Sequence, residues 1–395
     1  MAKFTVRAMK PGEIQKVGAG LVRAFELQDD AAHWMRHEWT VRYPQRPGVV
    51  PAMHRVGVLG DEVVAHALVE PWTLRYGGAR LRVAGISKVY TDTDHRRQGY
   101  SAAVLRDALT YAIELGAHLV LLNGIPGYYS RFGFSPVFPD YAADFATDEI
   151  AQLPTPLTVR EARPGDIPTM AALFERHWGG RVTFTRSPET WIWRVTRGDD
   201  ARRALVICGE DDVPQGYIAG RDLLLPEVEV IADTPEAALT LFSTCGQWAQ
   251  TAGLTQVRWL LPPDDALVAF AQQTVSINLS AHYEPDGGWM ARLVDSQGLI
   301  DALLPELLEQ GRVTLPDLTP DKLILICRAE GVEIGLRHDR STFSYLSQRD
   351  FIQVLFGSLS PATLGLRSHL SLPAIRLLQA LFPPRMAALG GWDWF

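Results

Sequence analysis

Read for its apolar spacing, the chain alternates between two periods. Residues 4–9 (FTVRAM) follow the two-residue period of a strand, and PGEI after them opens a helix carrying Ile14, Val17 and Leu21 on one face. Paired strands are expected at 53–59, 62–72 and 79–91. The run from Ile86 to Thr91 ends at Asp92, Thr93 and Asp94. From Tyr100 the spacing turns helical, with Val104, Ala108, Tyr111, Ala112 and Leu115 on one face and Gly116 as a stop. A buried strand follows at 118–123. Residues 205–209, 216–225 and 228–231 read as strands, as do 289–295, 322–330 and 331–337. An amphipathic helix is expected at 296–308, and two more begin near Ser347 and Leu372.

One pattern occurs twice. TVRAMKPGEI begins at Thr5, and TVREARPGDI begins at Thr158, 153 residues later. Duplication at domain spacing accounts for the match in residue type; chance likeness of two strand-to-helix starts is the alternative. The expected organisation is three units at 1–150, 151–294 and 295–395, of mixed α/β (α+β) class.

Chemistry enters at the turn before Tyr100. Arg96, Arg97, Gln98, Gly99, Tyr100, Ser101 and Ala102 join a strand to the first turn of a helix, where backbone amides lack intrahelical acceptors. Such a turn suits an anion, above all a pyrophosphate. Gly99 lets the backbone approach, and the two arginines add charge. An arginine-rich cap on a solvated surface is the plainer reading. The second unit has no such turn: at 233–241 it reads DTPEAALTL, with Glu236 in the first helical turn, so it keeps the fold without the anion site.

The next segment decides between these readings. A strand, an Arg-x-x-Gly-x-Ser turn, a helix, a second strand and then YYSRFGF, with Tyr129 about 30 residues beyond Gly99, resembles the GNAT acyltransferase superfamily. The order of the three units resembles the Eis-type acetyltransferases, whose third domain looks like a sterol carrier fold. The resemblance implies acetyl-CoA as co-substrate and transfer of its acetyl group to a primary amine. Val89, Tyr90 and Thr91 would hold the pantetheine through their backbone, and residues 96–102 the diphosphate. Asn123, at the end of the next strand, is a further candidate for the pantetheine wall, though it could equally be a satisfied turn residue. Tyr129 would protonate the leaving thiolate, with Tyr128 as packing. The base would be the terminal carboxylate of Phe395. The tail supports that placement independently: GGWDWF ends on aromatics, whose burial would carry the terminus inward. A surface anchor explains the aromatics too, and Asp393 could serve instead. Asp29, Asp30, His33, Trp34, His37, Glu38 and Trp39 form a candidate wall for a cationic amine; a solvated helix explains them nearly as well.

Composition narrows the class. The 395 residues are 47% apolar and 21% charged, as in ordinary globular domains. A net charge of −7 argues against nucleic acid as the main partner. Cys208, Cys245 and Cys327 are too widely spaced for a metal pattern or a disulfide framework, and no metal is expected. The start, MAKFTVRAMK, has no apolar leader, and no run reaches membrane-spanning length, so a cytoplasmic protein is expected. Relatives of the Eis type form trimers or hexamers, which implies a homo-oligomer. The competing function is an acyl-CoA-binding regulatory or ligand-binding protein with little turnover.

Overall fold

A computed structural model describes residues 3–196, 203–387 and 389. The chain opens with β1 (Phe4–Ala8), α1 (Ile14–Ala24), α2 (Asp29–His37), β2 (His54–Leu59), β3 (Glu62–Tyr76) and β4 (Ala79–Thr91). Then come α3 (Tyr100–Glu114), β5 (Leu119–Gly124), β6 (Ser135–Phe138) and β7 (Asp140–Ala146), followed by α4 (Thr147–Ala151). The expected strands are present, with β3 running four residues longer than its alternation indicated. On α3, Leu105 and Leu109 are buried beside Val104, Ala108 and Ala112, whereas Tyr111 and Leu115 are half-buried. The helix thus buries a wider stripe than one face of the sequence pattern.

The second stretch holds β8 (Thr158–Glu161), α5 (Ile167–Trp178), β9 (Thr183–Phe184), α6 (Pro188–Val195), β10 (Arg203–Cys208), β11 (Pro214–Gly220) and β12 (Glu229–Ala232). It continues through α7 (Pro235–Thr251), β13 (Gln256–Trp259), α8 (Ala266–Ala271), β14 (Ile277–His282) and β15 (Gly288–Leu293). The repeated TVR motif makes the same lock twice. Arg7 pairs with Glu13 at 2.8 Å, and the Lys10 N–H donates to Glu13; Arg160 pairs with Asp166 at 2.7 Å, and the Arg163 N–H donates to Asp166. Helix α7 is capped by the Thr234 hydroxyl, which accepts from the Ala237 N–H. That satisfies a donor an anion would need.

Sheet order crosses the unit boundaries read from sequence. The main sheet runs β1-β2-β3-β4-β5-β15-β6, with β9 on β3, so β15 lies between two strands of the first unit. In exchange, β7 pairs with β13 and β14. The boundaries at 150 and 294 therefore do not coincide with sheet boundaries. Burial gives the reason: Met290 packs into the core on one face, and Trp289, Ala291 and Leu293 into the core on the other. A strand apolar on both faces needs a central place, and periodicity does not say in which sheet.

The last stretch is α9 (Ser296–Thr314), β16 (Leu323–Arg328), β17 (Gly331–Leu336), β18 (Asp339–Ser347), α10 (Gln348–Leu355), α11 (Pro361–Ser368) and α12 (Leu372–Leu381). β18 and α11 were not expected. These helices share one apolar core with Trp72, Leu74 and Tyr76 of β3 and with Leu81 and Val83 of β4. A buried polar knot ties the two parts: Glu306 accepts from the Gly78 N–H at 2.7 Å and pairs with Arg385, whose guanidinium lies 4.5 Å from the Tyr76 ring centroid. Among the described residues, no helix is long and apolar enough to cross a membrane.

Candidate active site

Among the described residues, strands β4 and β5 are the one parallel pair of strands in the main sheet, and their ladder is short. Val83, Ala84 and Gly85 pair with Leu119, Val120 and Leu121, and the pairing extends no further. Beyond Gly85, β4 continues for six residues against β3 alone. A gap through the sheet opens there, edged by β4 backbone including Val89, Tyr90 and Thr91. The Tyr90 ring points away from it, stacked on His66 at 5.5 Å and buried, so its contribution to the gap is backbone. The Thr91 hydroxyl is buried with no hydrogen-bond partner.

β4 carries one extra residue here. His66 and Leu68 of β3 stand opposite Tyr90 and Ser87, and Lys88 takes a left-handed φ of 51°. The bulge is held from within. The His66 Nδ1–H donates to the Lys88 carbonyl at 2.9 Å, which leaves Nε2 to accept from the His54 Nδ1–H at 3.0 Å. Burial keeps both rings neutral, lowering His54 to about 4 and His66 to about 3, with the neighbouring ring adding to the latter.

The turn at 96–102 lies at the head of α3. Gly99 is its N-cap at φ 80°, and Arg97 is also left-handed at φ 65°. A Cβ on Gly99 would meet nothing within 4 Å, so the turn faces open space. Among the described residues no side chain caps α3, so its first-turn amides are available to a ligand. Arg97, Gln98 and Gly99 are exposed, and Ser101 and Ala102 are half-buried. Tyr100 stacks on Phe4 at 4.0 Å, which fixes the first turn. The Arg96 side chain turns elsewhere, donating to the Ala24 carbonyl at 2.8 Å at the end of α1. These features fit the diphosphate and pantetheine of a coenzyme A thioester.

The two tyrosines divide their tasks. Tyr128 shares a 2.5 Å hydrogen bond with the Ser101 hydroxyl, linking its loop to the α3 head. Tyr129 is buried against the end of β5: a Cβ on Gly124 would come within 2.6 Å of its ring. Burial, and then the neighbouring Tyr128, push the Tyr129 phenol up to about 12, so it stays a proton donor throughout the neutral range. Asn123 is exposed at the end of β5, paired with Trp289 of β15. Phe395 and Asp393 lie outside the described residues.

Of the expected substrate wall, Trp34, Glu38 and Trp39 line a cavity with Tyr43, Arg46, Glu70, Lys88 and Trp193. Asp30 and Trp34 also border a second cleft of about 640 Å³ against Arg221 and Trp248, where the Arg221 guanidinium lies 3.8 Å over the Trp34 ring. Asp29, His33 and His37 lie outside both cavities. Glu70, His66 and Tyr43 were missed by the sequence reading. A signal existed for two of them, since His66 and Glu70 interrupt the apolar run VVAHALVEPW. Among the described residues, no group of three or more His, Cys, Asp or Glu is gathered as for a metal.

Comparison with known proteins bears on the class. Residues 5–137 match the acetyltransferase (GNAT) domain family. A GCN5-related N-acetyltransferase from Kribbella flavida is 18% identical, with 100% of this chain and 99% of that one aligned at a TM-score of 0.67. A probable N-acyltransferase from Enterococcus faecalis, 14% identical, aligns over 100% of both chains at 0.70. Eis1 from Mycobacterium abscessus, 16% identical, aligns over 98% of this chain and 99% of its own at 0.61. These likenesses show a common fold, a mixed α/β structure of twisted sheets flanked by helices, and the domain match supports acetyl transfer as the general chemistry. No curated protein matches the sequence.

Proposed function

We propose that the protein is an acetyl-CoA-dependent N-acetyltransferase acting on a primary amine. One observation carries the reading: the β4–β5 ladder stops at Gly85, which leaves the β4 edge from Ile86 to Thr91 without β5 on that side just before the turn into the uncapped head of α3. The α3 head takes the diphosphate, the β4 edge takes the pantetheine amides, and the thioester reaches the gap beside Tyr129. The acceptor ammonium first gives a proton to a base. Its nitrogen then bonds the carbonyl carbon, the C–S bond breaks, and the electron pair goes to sulfur. Sulfur takes the Tyr129 proton, and the second proton leaving nitrogen restores the phenol. The base in this reading is the terminal carboxylate of Phe395. Support for it comes from the aromatic tail; the Glu306–Arg385 knot anchors the chain at the β3–β4 turn ten residues before Phe395. The protein is expected to work as a homo-oligomer.

The test is release of free thiol from acetyl-CoA in the presence of polyamines and other primary amines. Amine-dependent release supports the enzyme. Tight acetyl-CoA binding with only slow, amine-independent hydrolysis would assign the chain to the second reading, an acyl-CoA-binding regulatory protein.

A further inference from the structure

Glu70 is a carboxylate in a run of β3 that is apolar but for His66, and it is 3% exposed. In register it stands opposite Gly85, the last β4 residue paired to β5. It therefore occupies the row at which the gap opens. Its side chain is on the face away from Tyr129. Ala67 and Val69 share a core with Tyr129, whereas Leu68 packs with Trp39 and Tyr43, and Trp72 with the C-terminal helices.

The two carboxylate oxygens differ. Oε1 accepts from the Arg46 guanidinium at 2.5 Å, while among the described residues no hydrogen bond of normal geometry reaches the buried Oε2. The Tyr43 hydroxyl, in the same cavity, is likewise buried without one, and the Glu70 carboxylate is near enough to act on it. Burial, and then the Glu70 charge, raise the Tyr43 phenol far above the ordinary range, so it is neutral. The cavity's aromatic faces carry cations: Arg46 lies 4.9 Å over Trp72, and Lys88 5.6 Å over Trp39. Leaving a buried polar group unbonded is costly, and more so for a charge. A carboxylate oxygen without a partner is a strong acceptor for N–H.

We propose that Glu70 anchors a second, non-reacting ammonium of the acceptor through Oε2, which makes diamines and polyamines the favoured substrate class. An anion held against the reacting nitrogen would keep its proton on and oppose attack; held against a distal ammonium it only orients the chain. Against the cations Arg46, Lys88 and Arg194 the cavity sets the carboxylates Glu38 and Glu70, with Trp39 and Tyr43 among its aromatic walls. The inference rests on the acyl-transfer reading.

The experiment compares 1,4-diaminobutane with n-butylamine, which has the same length and one charge fewer. Wild-type protein should prefer the diamine in kcat/KM by about tenfold or more, since a hydrogen bond to a charged group contributes about 1.5–3 kcal/mol. Glu70→Gln keeps the volume and removes the charge. It should raise the diamine KM by about 10- to 100-fold while the KM values for n-butylamine and acetyl-CoA stay within about twofold. Glu70→Asp should recover part of the loss. Parallel changes for both amines, or none, would overturn the proposal. If Glu70→Gln fails to fold, wild-type crystals soaked with coenzyme A and 1,4-diaminobutane decide: the distal nitrogen lies within hydrogen-bond distance of Oε2, or the proposal is wrong. A wild-type protein that acetylates no amine fails the reading beneath it, and this inference falls with it. One that acetylates both amines equally fails only the inference.

Discussion

At the scale of single residues, the site depends on what surrounds each polar atom. Tyr129 and Tyr128 are adjacent in sequence and opposite in use, one buried against Gly124 and the other bonded to Ser101. Tyr129→Phe removes the proton donor and leaves the ring packing intact. It should lower kcat about 100-fold or more, with acetyl-CoA affinity within about twofold. Isothermal titration beside steady-state kinetics checks this, and equal loss in both would mean a packing role. Because burial holds the phenol near 12, the Tyr129 acid itself should impose no fall in kcat below about pH 11. The sequence made Tyr129 a candidate through its place in YYSRFGF. For Glu70 it carried a signal, an acid interrupting an apolar run, but nothing local distinguishes a buried acid with a free oxygen from one that is fully paired.

Among the elements, the turn into α3 is the part that local rules describe best. Its glycine, its uncapped first turn and its strand-to-helix order were all legible, since each is set by residues within a few positions of each other. Gly99 is left-handed, and a side-chain carbon there would meet nothing within 4 Å, so a substitution is penalised by the backbone and not by contact. Gly99→Val should cost about 1–2 kcal/mol at that turn and weaken coenzyme A binding about tenfold or more, read by calorimetry. Unchanged uptake would remove this turn from the site. Less legible was the β4 bulge at Lys88, which depends on His66 and His54 from two other strands. The alternation of β4 shows a strand and hides the extra residue.

For the molecule as a whole, two expectations concern pH and the chain end. His54 and His66 bind protons only near 4 and 3 when folded, against 6.5 when unfolded. The unfolded chain therefore takes up protons first as pH falls. Stability should be full above about pH 6.5 and decline toward pH 4, on the order of 6 kcal/mol for this pair. Urea unfolding at pH 7.5 and 5 measures it, and His66→Gln should flatten the slope; a flat wild-type profile would contradict the neutral buried pair. The second expectation follows from the proposed base. Residues added after Phe395 should cut kcat about 100-fold or more, whereas the same tag placed before Met1 should not. Equal kinetics for both tagged forms would remove Phe395 from the mechanism.

Alternation, glycine placement and the repeated TVR motif determined many of the strands, the glycine turn into α3 and the doubled start, because these follow from spacing along one stretch of chain. The lock between Arg7 and Glu13 recurs between Arg160 and Asp166 for the same reason. Tertiary structure alone decided which sheet each strand joins. It set β15 between β5 and β6, sent β7 to the other sheet, and packed the C-terminal helices on the face that carries Glu70. Strand pairing and burial are contacts between residues far apart in sequence, and a periodic pattern fixes that a face is apolar without naming its partner.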